Sequence, residues 1–174
     1  MNEQQERFMR ACESQWLVGG ERYALSEDKE WTDLVCEVVG NQWIGGNIIK
    51  YAGEIRNSKR FGEKIIEVNF FKIAVYAYIW WLKEYRHPTT GVELKKGHWP
   101  SFMEKCWERE RLIVGREITA EVFIQLVQWI LKEEKSSPSR EVLFFTIVAR
   151  AYQWWRQKAG NFTDRDRGEE FENE

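Results

Sequence analysis

The chain has 174 residues, a length that suits one domain with a single hydrophobic core and needs no metal or disulfide staple to fold. Hydrophobic residues make up 43% and aromatics 15%, with ten Trp, a composition that excludes disorder of the chain as a whole. The 26 basic and 28 acidic residues leave a net charge of −2, which argues against a basic coat for nucleic acid.

The polar, acidic opening Met1-Asn2-Glu3-Gln4-Gln5-Glu6 lacks the basic-then-apolar pattern of a signal peptide. A first helix is expected over about 3–17, with Phe8, Cys12 and Trp16 at i, i+4 and i+8, ended by Gly19-Gly20. A second, about 28–39, stops at Gly40. A third starts after Gly45-Gly46 and runs through Tyr51 to about Asn57. The fourth spans about 62–85; its near-apolar run, Phe70 to Leu82, is too short to cross a bilayer. Residues 86–100, with Pro88 and Pro100, read as a loop. A fifth helix covers about 100–113. The sixth starts at Thr119 as N-cap and ends near Lys135, and the last runs from Ser137-Pro138 to about Ala159, before Gly160. The fold class is all-α: one helical domain over 1–160, then a tail, 161–174, with six acids and two arginines that is expected to be unstructured. Cys12, Cys36 and Cys106 form no Cys-x-x-Cys or disulfide framework, which points to a cytoplasmic protein with no metal site and no cofactor.

The most specific feature is internal. Residues 67–81 recur at 141–155 with nine of fifteen positions identical at a constant offset of 74: Glu67/Glu141, Val68/Val142, Phe70-Phe71/Phe144-Phe145, Ile73/Ile147, Ala77-Tyr78/Ala151-Tyr152 and Trp80-Trp81/Trp154-Trp155. Gapless agreement favours a duplicated helical hairpin, about 45–85 and 118–159, packed around a pseudo-twofold axis; the alternative is two buried helices that drifted to similar composition. Two copies are too few for a solenoid.

Adjacent Trp side chains on a helix point about 100° apart, so each aromatic helix either buries a wide face or offers an indole to a partner. Trp16, Trp99 and Trp107, outside the repeated segment, are the candidate anchors for a protein partner. Arg150 and Arg156 join them from the polar side of the last helix. Lys50, Arg56, Lys59, Arg60 and Lys64 flank one turn; Arg86, His87, Lys95, Lys96 and His98 line the loop after the fourth helix. Of these, Lys50, Arg56, Lys59, Arg60, Lys95 and Lys96 are the candidates for phosphate or nucleic acid. Gly45-Gly46-Asn47, as a helix start, adds backbone N–H groups suited to an anion. No Gly-x-Ser-x-Gly elbow or Walker loop occurs. Glu63 and Glu67, one turn apart, are the one carboxylate pair weighed as a metal site, and His87 is a lone acid or base.

Two stretches resemble small bacteriophage proteins. Gly46-Asn47-Ile48-Ile49-Lys50-Tyr51, followed by the helix ending in Trp80-Trp81, resembles the phage nucleotide-kinase-like helical family. Trp80-Trp81-Leu82-Lys83-Glu84 with Pro88-Thr89-Thr90-Gly91 resembles the N-terminal domain of phage dATP/dGTP diphosphohydrolases. Val75-Tyr76 stand where that family has Arg-His, and His87 and Thr89 where it has acids, so no catalytic residue is carried over. The resemblance implies a phage or mobile-element origin.

The expected function is therefore that of a non-catalytic binding protein acting on a protein or nucleoprotein partner, in an accessory or anti-defence role. The alternatives are a metal-dependent dNTP pyrophosphohydrolase using Glu63 and Glu67, a helical subunit of a nucleic-acid complex, and a protein that sequesters a nucleotide. Self-association is compatible with each.

Overall fold

The computed structural model describes residues 1–22, 31–57, 63–86 and 92–158, and every regular element among them is helical. The first are α1 (Glu3–Arg22), α2 (Trp31–Val39), α3 (Gln42–Arg56) and α4 (Glu63–Trp81). A π-helical turn (Leu82–Arg86) follows α4, and then come α5 (Val92–Gly97), α6 (Trp99–Leu112), α7 (Ala120–Lys132) and α8 (Pro138–Lys158). No helix among the described residues is long and apolar enough to cross a membrane.

Local chemistry sets most boundaries. A reciprocal capping box opens α1: Gln5 N–H donates to Asn2 Oδ1 at 2.8 Å, and Asn2 N–H to Gln5 Oε1 at 3.0 Å. Gly40 closes α2 with φ +90° while its N–H donates to the Cys36 carbonyl at 2.9 Å. Pro100 and Pro138 sit in first turns, where a missing N–H costs nothing.

Three expectations are corrected. Gly19-Gly20 lies inside α1 rather than ending it, and Gly45-Gly46 lies inside α3 rather than opening it. At Gly45 the reason is packing: a Cβ would lie 2.8 Å from Val127 Cγ1 and 3.0 Å from the Trp80 ring. Close approach of α3 to α7 thus outweighs glycine's poor helix propensity. The stretch 86–100 also holds α5 and the start of α6, so it is not simply a loop.

The centre of the molecule is the pair α4 and α8, buried on nearly every side, as expected for helices that are apolar all round. The end of each lies beside the start of the other, because Trp81 Nε1 donates to Glu141 Oε1 and Trp155 Nε1 donates to Glu67 Oε1, both at 3.1 Å. Each bond maps onto the other under the 74-residue offset, so the two copies are related by a twofold axis running between them. Ring geometry repeats in the same way. Phe70 meets Trp154 edge-to-face at 5.3 Å and 89°, and Phe144 meets Trp80 at 5.1 Å and 87°. Phe71 to Trp155 and Phe145 to Trp81 are both 6.2 Å. Such pairs add about 0.5–1.5 kcal/mol each beyond the area they bury.

The symmetry extends past the hairpin. Phe8 of α1 packs on Phe71, Tyr152 and Trp155, and Phe102 of α6 packs on the equivalent Phe145, Tyr78 and Trp81. A second sequence echo underlies this, Phe8-Met9-x-x-Cys12 against Phe102-Met103-x-x-Cys106, at an offset of 94. In α3 and α7 the buried positions Gly45, Ile48, Ala52 and Ile55 match Ala120, Phe123, Val127 and Ile130 at an offset of 75. The repeating unit is thus three helices, α1-α3-α4 and α6-α7-α8. The first copy is nineteen residues longer between its first two helices, the stretch that includes α2.

Candidate functional site

The twofold relation makes the two poles of the α4/α8 pair directly comparable, and they differ in chemistry. At the first, the π-helical turn after α4 swings Glu84 and Tyr85 towards α8. Trp80 Nε1 donates to Glu84 Oε1 at 2.8 Å, and Arg140 Nη1 donates to Glu84 Oε2. Arg140 Nε donates to the Ile130 carbonyl at 2.8 Å, and its Nη1 also reaches Tyr85 Oη at 3.3 Å. Burial pulls the Arg140 pKa down, but the hydrogen bonds it donates to Glu84 and Tyr85 outweigh this and raise it. Beside it, α2 docks through Asp33, which pairs with Lys83 Nζ at 2.6 Å and Lys95 Nζ at 3.1 Å. This pole is closed.

At the second pole Lys158 stands where the symmetry places Glu84, and Gln157 where it places Lys83. A groove of about 850 Å³ opens here, lined among others by Arg56, Arg116, Thr119, Trp154, Gln157 and Lys158. The linker between α6 and α7 forms one wall. Gln157 clamps it to α8, donating to the Arg116 carbonyl at 2.5 Å and accepting from Ile118 N–H at 2.9 Å. Arg56 and Glu121 pair across the rim at 2.6 Å. The Glu121 carboxyl is held below its usual range, first by its own backbone N–H at the start of α7, then by the Thr119 hydroxyl, with Arg56 adding to them.

The last residue of α6 and the linker after it carry the most exposed apolar side chains of this region, Leu112 at 76% and Val114 at 84%. Arg109, Arg111, Arg116 and Arg150 surround them. Arg150 Nη1 donates to the Val114 carbonyl at 3.0 Å, and Arg109 Nε to Thr146 Oγ1 at 3.0 Å. Burial lowers the Arg150 pKa, and Arg116 and then Arg109 lower it further by charge repulsion. These arginines have no carboxylate within ion-pair distance among the described residues, although Glu108, Glu110 and Glu117 alternate with Arg109, Arg111 and Arg116 along the chain.

The residues singled out in the sequence are dispersed. Trp16, Trp99 and Trp107, expected as surface anchors, are interior. Trp16 packs edge-to-face on Tyr78 at 5.5 Å, Trp99 on Tyr78 at 4.9 Å, and Trp107 on Tyr152 at 5.0 Å, since the α1 and α6 faces they occupy cover the aromatic helices. Lys95 is buried against Asp33 and so is not a free phosphate contact. Lys50 lies over the Tyr51 ring at 5.6 Å, Lys96 is exposed, and Arg156 lies over the Tyr152 ring at 5.7 Å. Of the candidates, Arg56 reaches the groove and Arg150 the linker. Lys59, Arg60, His87 and the acidic tail 161–174 lie outside the described residues, as do the side chains of Glu63 and Lys64. Glu67 is interior and its carboxylate accepts a hydrogen bond from the Trp155 indole. Gly45-Gly46-Asn47, inside α3, has its N–H groups in the helical ladder and provides no anion site.

The sequence reading missed Arg116, Trp154, Gln157 and Lys158 as groove residues and Leu112 and Val114 as exposed ones. A signal was present for one: the duplication aligns Glu84 with Lys158, a reversal of charge within an otherwise repeated helix. Neither a family model, nor a curated protein, nor a solved structure matches the chain.

Proposed function

We propose that this is a non-catalytic binding protein that recognises a protein partner through the α6–α7 linker. The observation that carries the reading is the exposure of Leu112 and Val114 amid four arginines that have no carboxylate within ion-pair distance among the described residues. Apolar side chains framed by arginine are the chemistry of interaction surfaces, and here they stand where α6 passes into a linker fixed to a rigid aromatic body. With the phage resemblance of residues 46–91, the reading is of an accessory or anti-defence factor that acts by occupying its partner.

The test is affinity capture from the native cell with mass spectrometry, comparing the wild-type chain with Leu112→Ser/Val114→Ser. A species enriched by the wild type and reduced about tenfold by the variant supports the reading. Turnover of dNTPs with magnesium by the pure protein, abolished by Glu67→Ala, overturns it.

A further inference from the structure

We infer that the groove at the second pole docks an acidic segment of a partner protein, one of whose carboxylates takes the place beside Trp154 that Glu84 takes beside Trp80. This rests on the reading of the chain as a partner-binding protein and adds the chemistry that the partner presents.

The internal symmetry supplies the template. Trp154 meets Phe70 as Trp80 meets Phe144, with near-equal ring distances and angles. At the first pole the indole N–H is answered from within, four residues on, by Glu84. At the second, the residue four on is Lys158. Trp154 lines the groove, is only 4% exposed, and makes no hydrogen bond through its indole nitrogen among the described residues. Unlike the indole nitrogens of Trp99 and Trp107, which are sealed from solvent, that of Trp154 stays accessible, so a ligand oxygen in the groove can reach it and supply what Glu84 supplies at the first pole.

The cations fit the same occupant. Arg116 and Lys158 line the groove without a carboxylate partner among the described residues, while Arg56 is shared with Glu121 at the rim. At the first pole an acidic amphipathic helix, α2, sits at the equivalent place, its Asp33 on Lys83, the counterpart of Gln157. The second copy has no segment corresponding to α2, since α6 connects to α7 by a linker nineteen residues shorter. An acidic peptide from outside would complete the second pole as α2 completes the first. Glu117 and Glu121 leave the lining with three cations against two carboxylates, a balance that suits singly charged carboxylates better than a phosphate dianion.

The experiment uses the full chain labelled with ¹⁵N. The Trp154 indole resonance is assigned by its absence in Trp154→Phe, or by triple resonance should that variant fail to fold. An acetylated, amidated tetraglutamate peptide is the probe, with tetralysine and inorganic phosphate for comparison. Tetraglutamate is expected to shift this resonance saturably, with affinity that falls as salt rises. Arg116→Ala with Lys158→Ala is expected to weaken binding about tenfold. Lys158→Glu supplies the carboxylate in cis: it shifts the resonance without peptide, abolishes the titration and raises the melting temperature. Glu121→Gln removes a competing carboxylate and tightens binding. No response to tetraglutamate, an equal response to phosphate at the same concentration, or undiminished binding by Lys158→Glu overturns the inference. Should the groove fail these tests while Leu112→Ser/Val114→Ser still abolishes partner capture, the inference falls and the binding reading stands.

Discussion

The two poles of the α4/α8 pair start from the same aromatic framework and end differently. At the first, Trp80 is satisfied by Glu84, Glu84 by Arg140, and the whole is covered by α2. At the second, Trp154 has Lys158 in the place of Glu84, and a groove remains. The comparison teaches that repeated residues hold the body together, while the residues that break the repeat decide where another molecule can enter. Function in this chain is to be sought where the symmetry fails.

That contrast can be broken or sharpened by substitution, most severely in the shared framework. Phe70→Ala and Phe144→Ala, at equivalent and fully buried positions, are each expected to cost about 3–5 kcal/mol in urea denaturation. Costs differing by more than about 2 kcal/mol would show that the halves are alike in shape only. Arg140→Met strands the Glu84 carboxylate at the closed pole and is expected to cost about 3–5 kcal/mol, most of which returns in the double variant Glu84→Met/Arg140→Met. Glu67→Ala is expected to cost about 2 kcal/mol and Glu141→Ala about 1 kcal/mol, because Glu67 is buried and Glu141 half-buried under equivalent indole bonds. The two adjacent glycines are expected to respond with opposite signs. Gly45→Ala drives a methyl into Val127 and Trp80 and costs about 1–3 kcal/mol. Gly46→Ala meets nothing within 4 Å and gains about 0.5–1 kcal/mol.

The thiols give a pH test of the common interior. Burial pushes the Cys12 and Cys106 thiols well above the ordinary value of 9.0, with a smaller contribution from Glu13 on Cys12 and from Cys12 on Cys106. In the folded protein both therefore stay protonated where the unfolded chain ionises. Stability is expected to be insensitive to these groups below about pH 8 and to fall as pH rises through about 9. Reaction of both with a thiol reagent at pH 8 should follow global unfolding; rapid labelling of the native protein would place them outside the core.

Much of this architecture was legible. Periodic apolar runs locate the helices, and the gapless echo of 67–81 in 141–155 identifies the central pair from sequence alone. What escaped has physical causes. Gly45 and Gly46 read as a break because the gain from close helix approach is a tertiary quantity, invisible in local propensity. Trp16, Trp99 and Trp107 read as surface anchors because they lie outside the repeated segment, yet α1 and α6 are themselves repeats of each other and pack inward. The short echo Phe-Met-x-x-Cys was the available clue. The groove escaped because it is assembled from the end of α3, a linker and the end of α8, which no single stretch of sequence joins.

The crossed bonds from Trp81 to Glu141 and from Trp155 to Glu67 carry one more consequence. Each half of the chain donates an indole proton to the other and accepts one in return, so neither half is complete by itself. A polypeptide holding only one such three-helix unit would find every missing donor and acceptor in a second molecule of itself, across an isologous interface. The present chain has the logic of such a homodimer sewn into one strand, and tethering is what left each pole free to diverge.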